Sequence, residues 1–225
     1  MIDIQIMPEQ FAYDVQSLVK AFYSEHDFKV NQVVDNSYRI VKVYFENEIR
    51  FELYDNDKKL FEGYEKCDFS NRKETKNILK KLLYRGMQID TGKELPWGDL
   101  TGIRPAKIPA LLYEEGKKEE EIRRYMKETY MISDEKLDLA MYIAKREHEI
   151  LKDINYKQGY SLYIGIPFCP TRCLYCSFTS YPVSFYKDKT DTYVDALIKE
   201  IEYVGSRLKD RELNSVYIGG GTPTT

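Results

Sequence analysis

The hydrophobic and polar positions of residues 1–95 follow two different periods. Residues 2–7 alternate apolar and polar side chains, which predicts a strand, and the apolar positions of 11–22 recur at helical spacing. Three further alternating runs, separated by turn-forming Asn and Asp residues, predict an antiparallel meander with strands at 38–45, 48–54 and 59–65. A helix is predicted at 72–85. The pattern therefore predicts an α+β domain.

Helical periodicity dominates residues 96–155. Gly and Ser-Asp positions separate three helical patterns, which are predicted at 103–115, 118–130 and 134–153. Thr101 is the predicted N-cap of the first helix, and Pro105 lies in its first turn. We interpret this region as a helical segment that follows the α+β domain.

From residue 160 to residue 225 the pattern is that of a parallel β-α-β unit. The apolar runs SLYIGI (161–166) and SVYI (215–218) predict strands that are buried on both faces, and a helix is predicted between them at 189–208. The apolar stripe of this helix comprises Tyr193, Leu197, Ile201, Val204 and Leu208. A cysteine-rich loop and a triple glycine follow the two strands directly. Because the carboxyl ends of parallel strands meet at one edge of a sheet, we expect both motifs to face the same site.

Composition argues against several classes of partner. The chain has 225 residues and a formal net charge of -3, so no basic surface for nucleic acid or an anionic membrane is predicted. The apolar runs are too short to span a bilayer, and the first residues lack the features of a signal peptide. Three of the four cysteines lie within eight residues, which is a poor disulfide framework. We therefore expect a cytoplasmic protein with reduced thiols.

The stretch IPFCPTRCLYCSF, residues 166–178, carries the most specific chemistry. Its candidate metal ligands are three cysteines in a C-x3-C-x2-C pattern, Cys169, Cys173 and Cys176. A structural zinc ion takes four ligands, and the two histidines of the chain, His26 and His148, lie in the preceding region. Buried cysteines without a ligand are the other alternative, which the two prolines of the stretch disfavour because they indicate a loop. A [4Fe-4S] cluster fits best, since three thiolates leave one iron free to bind a small molecule.

This pattern after a strand resembles the radical S-adenosylmethionine (radical SAM) superfamily. YIGIPFCPTRCLYCSF and VYIGGGTPTT are similar to the oxygen-independent coproporphyrinogen III oxidase-like family, which includes haem chaperones. WGDLTGIRP, at 97–105, is similar to the branch called coproporphyrinogen dehydrogenase. The resemblance implies that residues 160–225 begin a partial (β/α) barrel. About six β/α units form such a barrel, so we expect the chain to be an N-terminal fragment that is inactive by itself.

The resemblance also implies a cofactor site. The three cysteines would hold three irons of a [4Fe-4S] cluster, and SAM would bind the fourth. Six further residues match positions that contact SAM in the family: Tyr163, Tyr175, Gly219, Gly220, Gly221 and Thr222. Glycines without a Cβ let backbone carbonyls approach the ammonium group of the methionine. A tight turn and a phosphate-binding loop are alternatives for the glycines, but the motif lacks the Lys-Ser/Thr ending of a P-loop.

The activity implied by the resemblance is a radical oxidative decarboxylation in porphyrin and haem biosynthesis. SAM would yield a 5′-deoxyadenosyl radical that removes hydrogen from propionates of coproporphyrinogen III, which become vinyl groups after loss of CO2. An electron-donor protein such as flavodoxin or ferredoxin would be a partner, and no catalytic residue is assigned. The oxidases have a cysteine at the position of Phe178 and a histidine at that of Gly165. A haem-binding chaperone without decarboxylase activity and a metal-stabilised interaction module therefore remain alternatives.

Overall fold

A computed structural model describes residues 1–32, 34–102 and 104–224. The chain forms two compact units, Met1–Glu147 and His148–Thr225. The sequence pattern divides the first of these into two domains, and that division stays a prediction. None of the helices in the described residues is long and apolar enough to cross a membrane.

Each strand and helix predicted above has a counterpart in the structure. The elements that begin before residue 148 are β1 (Ile2–Met7), α1 (Ala12–Phe22), β2 (Phe28–Val30), β3 (Arg39–Phe45), β4 (Ile49–Asp55), β5 (Lys58–Glu65), α2 (Arg72–Thr91), α3 (Lys107–Glu114), α4 (Glu119–Tyr130) and α5 (Asp134–Leu151). The later elements are β6 (Tyr160–Ile166), β7 (Phe168–Cys169), β8 (Tyr181–Pro182), α6 (Thr190–Arg207) and β9 (Leu213–Gly220). The short strands β2, β7 and β8 were not predicted.

A five-stranded sheet with the order β2-β1-β3-β4-β5 forms the centre of the first unit. β3, β4 and β5 pair antiparallel, as the meander requires, whereas β1 pairs parallel with β2 and β3. The alternation along β1 puts Ile2, Ile4 and Ile6 into an apolar core that also contains side chains of α1 and α2. A strand with a period of two can bury one complete face in this way.

The segment that follows α2 differs from the sequence-based prediction. The predicted helix start at residue 103 lies outside the described residues, and α3 begins at Lys107. Arg104 has a φ of 60°, which is incompatible with a right-handed helix at that residue. The prediction of Thr101 as the N-cap is therefore wrong. Its hydroxyl instead accepts a hydrogen bond from Nζ of Lys80, at 3.1 Å.

In the second unit β6 and β9 form a parallel pair, with Tyr163 opposite Tyr217 and Gly165 opposite Gly219. The predicted stripe of α6 is confirmed, because its five residues are half-buried and the other side chains of the helix that surround them are exposed. Burial of both strand faces was predicted wrongly: the side chains of Tyr163 and Tyr217 are 59% and 66% exposed. The described part of this sheet has two strands and is accompanied by a single helix, so one face is left open. That the unit begins a barrel stays a prediction.

Candidate cofactor site at the ends of two parallel strands

The chain after β9 runs beside the chain after β6. The backbone N–H of Gly221 donates a hydrogen bond to the carbonyl of Ile166, and that of Thr222 donates to the carbonyl of Phe168, each at 2.7 Å. Gly220 has a φ of 109°, and a Cβ there would lie 2.6 Å from the carbonyl oxygen of Ile166. Only glycine accommodates both this conformation and this approach. The two motifs at the strand ends are thus adjacent.

Gly221 lies directly against the first cysteine of the loop. A Cβ on this residue would lie 2.7 Å from Sγ of Cys169 and 2.5 Å from the carbonyl oxygen of Phe168. Real Cβ atoms do not approach other atoms so closely. The missing side chain therefore lets the glycine backbone approach the sulfur.

Cys169 is held in place by its neighbours in β7. It is buried, at 9% exposure, and β7 pairs with β8 over two residues. The ring of Phe168 packs edge-on against Tyr193, with ring centroids 5.2 Å apart. The hydroxyl of Tyr193 donates a hydrogen bond to the carbonyl of Gly165. A side chain of α6 therefore ties the end of β6 to the start of the cysteine loop.

The other two cysteines are more accessible. Cys173 is exposed and Cys176 is half-buried, with its Sγ 3.9 Å from Oγ of Ser180. Among the residues that the structure describes, no three His, Cys, Asp or Glu side chains are grouped as a metal site. The structure thus joins Cys169 to the glycines but does not gather the three thiols.

The donor set of the loop nevertheless fits an iron-sulfur cluster. From residue 166 to residue 180 the sequence contains three cysteines and no histidine, aspartate or glutamate. Iron-sulfur clusters are bound mainly by cysteine thiolates, whereas a closed zinc site would need a fourth ligand from elsewhere. The thiols are the only strong metal ligands of this stretch, and one of them lies beside a glycine backbone. This arrangement is compatible with an iron-sulfur cluster and with a small molecule bound next to it.

A cavity of about 500 Å³ opens beside these motifs. Its wall includes Tyr193 together with Tyr163 and Gly220, for which the family resemblance implies contact with SAM. Gly165 and Phe178, the two positions that depart from the oxidase pattern, also line it. The volume lies in the range of small-molecule sites.

The residues that the resemblance implies as SAM contacts do not all lie in the same surroundings. Tyr163 stacks on Tyr217, with ring centroids 5.5 Å apart, and a Cβ on Gly219 would lie 2.5 Å from a ring carbon of Tyr217. Thr222 contributes its backbone N–H to the strand-end contact described above. Tyr175 is 90% exposed and is not part of the cavity wall. Its predicted contact with SAM stays a prediction.

Sequence reasoning missed the part that Tyr193 plays in this site. The periodicity of α6 identified Tyr193 only as a member of the apolar stripe. Its position carried a signal, however, because it lies in the first turn of the helix that follows β6 and the cysteine loop. In a β-α-β unit this turn lies at the same end as the strand's carboxyl terminus.

Comparison with known proteins gives three informative relatives. The oxygen-independent coproporphyrinogen-III oxidase-like protein HemZ of Bacillus subtilis is 35% identical over 156 residues, which are 68% of this chain and 31% of that protein. The heme chaperone HemW of Buchnera aphidicola subsp. Schizaphis graminum is 51% identical over 65 residues, 28% of this chain and 17% of the relative. The oxygen-independent coproporphyrinogen III oxidase of Salmonella typhimurium is 41% identical over 64 residues, which are 28% of this chain and 14% of that protein.

The chain therefore spans less than a third of the length of each of these relatives. No protein-family model matches it, and no solved structure matches it.

Proposed function

The chain belongs to the oxygen-independent coproporphyrinogen III oxidase-like family of radical SAM proteins, and on this premise we propose that its second unit binds a [4Fe-4S] cluster and SAM. Cys169, Cys173 and Cys176 would hold the cluster. When bound, the cluster and SAM supply an electron and an adenosyl radical for hydrogen abstraction.

The chain's own residues would orient these groups. Because Gly221 carries no Cβ, its backbone lies close to Cys169, and the backbone carbonyls of 219–221 would accept hydrogen bonds from the amino group of SAM. The aromatic wall formed by Tyr163 and Tyr193 would exclude water from one side of the cavity. Tyr193 would also keep Phe168, and with it Cys169, in position through its ring contact.

The approach of Gly221 to Sγ of Cys169 is the single observation that supports this proposal most strongly. A loop that only turned the chain would not need, beside the thiol, a residue whose Cβ would clash with the sulfur. Two separate strands deliver these residues to one place, which is how parallel β/α proteins assemble their sites.

Anaerobic reconstitution of the 225-residue chain with iron and sulfide tests the proposal. We expect about four irons and four sulfides per chain, the content of a [4Fe-4S] cluster, and a change in the electron paramagnetic resonance spectrum of the reduced cluster when SAM is added. Cys169→Ser, Cys173→Ser and Cys176→Ser should each lose the cluster, whereas Cys67→Ser in the first unit is the matched control and should keep it. A chain that binds zinc, or no metal, would contradict the proposal.

For the whole protein we propose oxidative decarboxylation of coproporphyrinogen III. One electron from a flavodoxin- or ferredoxin-like donor would cleave SAM, and the substrate radical left by hydrogen abstraction would release CO2 and one electron, which an electron acceptor takes up. The support is the similarity to a relative named as such an oxidase, over the cysteine and glycine motifs. Incubation with coproporphyrinogen III, SAM and a reductant should yield 5′-deoxyadenosine and vinyl-bearing product. Formation of 5′-deoxyadenosine without a vinyl product would contradict this substrate.

A haem chaperone is the second candidate, and a specific observation favours it. Gly165 and Phe178, which replace a histidine and a cysteine of the oxidases, both line the cavity next to the cysteine loop. The relative from Buchnera, 51% identical over this region, is named a heme chaperone. Titration with haem, followed by absorption spectroscopy, should give saturable binding if this candidate is right, together with no decarboxylated product.

A further inference from the structure

A second cavity, of about 460 Å³, lies in the first unit, far in sequence from the cysteines. It is formed by the end of α1 and by the segment 95–101. Its apolar wall includes Leu95, Trp97 and Leu100, and its polar wall includes Ser17, Lys20 and Thr101. A mainly apolar surface with a few convergent polar groups is typical of small-molecule sites.

The two hydroxyls of the polar wall form a hydrogen-bond chain of one direction with Lys80 and the backbone carbonyl of Asp14, neither of which lines the cavity. Nζ of Lys80, which can only donate while protonated, bonds to Oγ1 of Thr101 at 3.1 Å. Oγ of Ser17 donates to the carbonyl of Asp14, at 3.0 Å. Thr101 and Ser17 are joined by a hydrogen bond of 3.0 Å. Because the one hydrogen of Ser17 is already used, Thr101 must be the donor of this bond.

The hydroxyl hydrogens of Ser17 and Thr101 are both donated within this series of hydrogen bonds. Each hydroxyl oxygen keeps one lone pair without a partner among the described residues, since a hydroxyl can accept two hydrogen bonds and donate one. The hydroxyl pair therefore presents acceptors, and it suits a ligand that brings its own N–H or O–H.

The hydroxyl pair favours a hydrogen-bond donor, whereas the charges near the cavity favour an anion. Lys20 is the charged residue among those lining the cavity; it is exposed, and its ammonium group has no hydrogen-bond or ion-pair partner within the described residues. Lys80 stands behind Thr101 and is 7% exposed, with Asp14 and Asp99 as the acidic groups that act on it. A free cation at an otherwise apolar surface attracts an anion.

We propose that this cavity binds a small aromatic carboxylate that carries a hydroxyl or ring N–H at its other end. The donor would bond to the Ser17–Thr101 pair, the ring would lie along Trp97, and the carboxylate would pair with Lys20. This site is independent of the cluster and SAM site proposed above.

A matched series of probes tests the proposal on the 225-residue chain. The probes are 4-hydroxyphenylacetate, phenylacetate, 4-methoxyphenylacetate and 2-(4-hydroxyphenyl)ethanol, which differ in the donor or in the charge. Trp97 is the only tryptophan of the chain, so its fluorescence reports on this cavity; isothermal titration calorimetry gives a second readout. We expect 4-hydroxyphenylacetate to bind about 3- to 10-fold more tightly than each of the others, the range that one hydrogen bond or exposed ion pair supplies.

Two variants separate a binding role from a structural one. Lys20→Met should remove the advantage of the carboxylate, while Lys29→Met, an exposed lysine of β2, should not. In Ser17→Ala the hydroxyl hydrogen of Thr101 loses its acceptor, so Thr101 can donate to a ligand. The preference for the hydroxy over the methoxy probe should therefore fall about 3- to 10-fold. Ser24→Ala, an exposed serine, is its control. Circular dichroism checks that each variant is folded.

The outcomes are exclusive. Saturable binding with both selectivity changes supports the site. Absence of a saturable signal, equal affinity for all four probes, an unchanged carboxylate preference in Lys20→Met, or an unchanged hydroxy preference in Ser17→Ala would overturn it.

Discussion

The first unit encloses its apolar side chains between a sheet and helices, whereas the described part of the second unit leaves many of its own exposed. Phe51 and Phe22 have no accessible surface in the first unit. In the second, Val216 and Ile218 of β9 are 51% and 54% exposed, and α6 contains no fully buried residue.

This difference shows that two kinds of interaction maintain the two units. A buried apolar core stabilises the first, and its free energy of unfolding depends on side-chain volume. Around the cysteine loop the geometry depends on backbone hydrogen bonds, glycine contacts and ring contacts. Substitutions of large apolar side chains should therefore affect the first unit most, and substitutions of glycine or tyrosine should affect the second.

The largest effect is expected for Phe51→Ala. It removes a fully buried ring from the core of the first unit and should lower the free energy of unfolding by about 3–5 kcal/mol. Urea unfolding followed by Trp97 fluorescence measures this, since Trp97 lies in the same unit. Ile89→Ala removes an exposed aliphatic side chain of α2 and should change it by less than about 0.5 kcal/mol. Equal effects of the two substitutions would remove the basis of the comparison.

Asp99→Asn should change how the stability of the first unit depends on pH. Asp99 is 1% exposed, and burial raises the pKa of its carboxyl from 3.8 to about 7, although Lys80, Lys81 and Lys76 oppose this shift. The folded state thus keeps a proton that the unfolded state releases at lower pH, and the free energy of unfolding falls as pH rises from 3.8 to about 7.

Between about pH 5 and about pH 8 this loss amounts to about 2–3 kcal/mol in the wild type, and it should be absent in Asp99→Asn. Urea unfolding midpoints at the two pH values measure the loss of stability in the wild type and in Asp99→Asn. Asp57→Asn, at an exposed turn residue, is the control. A wild-type stability that rises over this interval would contradict the assignment.

Gly221→Ala tests the glycine contact of the second unit. Its Cβ would meet Sγ of Cys169 and a carbonyl oxygen, so the loop must move, at a cost of about 1–3 kcal/mol. We expect a lower iron content after anaerobic reconstitution. Gly205→Ala, in α6, has no atom within 4 Å of the new Cβ and should stabilise the helix slightly. Full iron content in Gly221→Ala would show that the contact is not required.

Tyr193→Phe is expected to have the smallest effect. It removes the hydrogen bond to the Gly165 carbonyl but keeps the ring against Phe168, so the second unit should lose about 0.5–1.5 kcal/mol. Protease sensitivity of the cysteine loop measures this loss. Tyr193→Ala, which also removes the ring contact, should increase the cleavage rate further; if both variants are cleaved at the wild-type rate, Tyr193 does not hold the loop.

Local periodicity predicted the elements of the chain well, because it depends on neighbouring residues. The half-buried stripe of α6, including Leu197 and Ile201, follows directly from a period of 3.6. The pairing of β1 is not a local property. Alternation shows that Ile2 and Ile4 share a face but carries no information on which strands lie beside them, so the parallel pairing with β2 and β3 could not be predicted.

The candidate site was predictable where topology and chemistry act together. The rule that parallel strands end at one edge led to the expectation that the cysteines and glycines are neighbours, and the structure brings Cys169 and Gly221 into contact. The ligand roles themselves stay predictions. Buried charge was not predictable: Lys80 and Asp99 are of types that usually lie at the surface, but both are buried, and Lys80 bonds to Thr101 in the segment after α2.

The left-handed backbone of Gly220 also limits how this region can vary during evolution. Every single-nucleotide change in a glycine codon that alters the amino acid introduces a residue with a Cβ, and at this position that atom would collide with the carbonyl of Ile166. No amino-acid substitution at Gly220 therefore avoids this collision. In a library of random variants selected for cofactor binding, we expect this codon to be among the most strongly depleted and that of Gly205 to tolerate change.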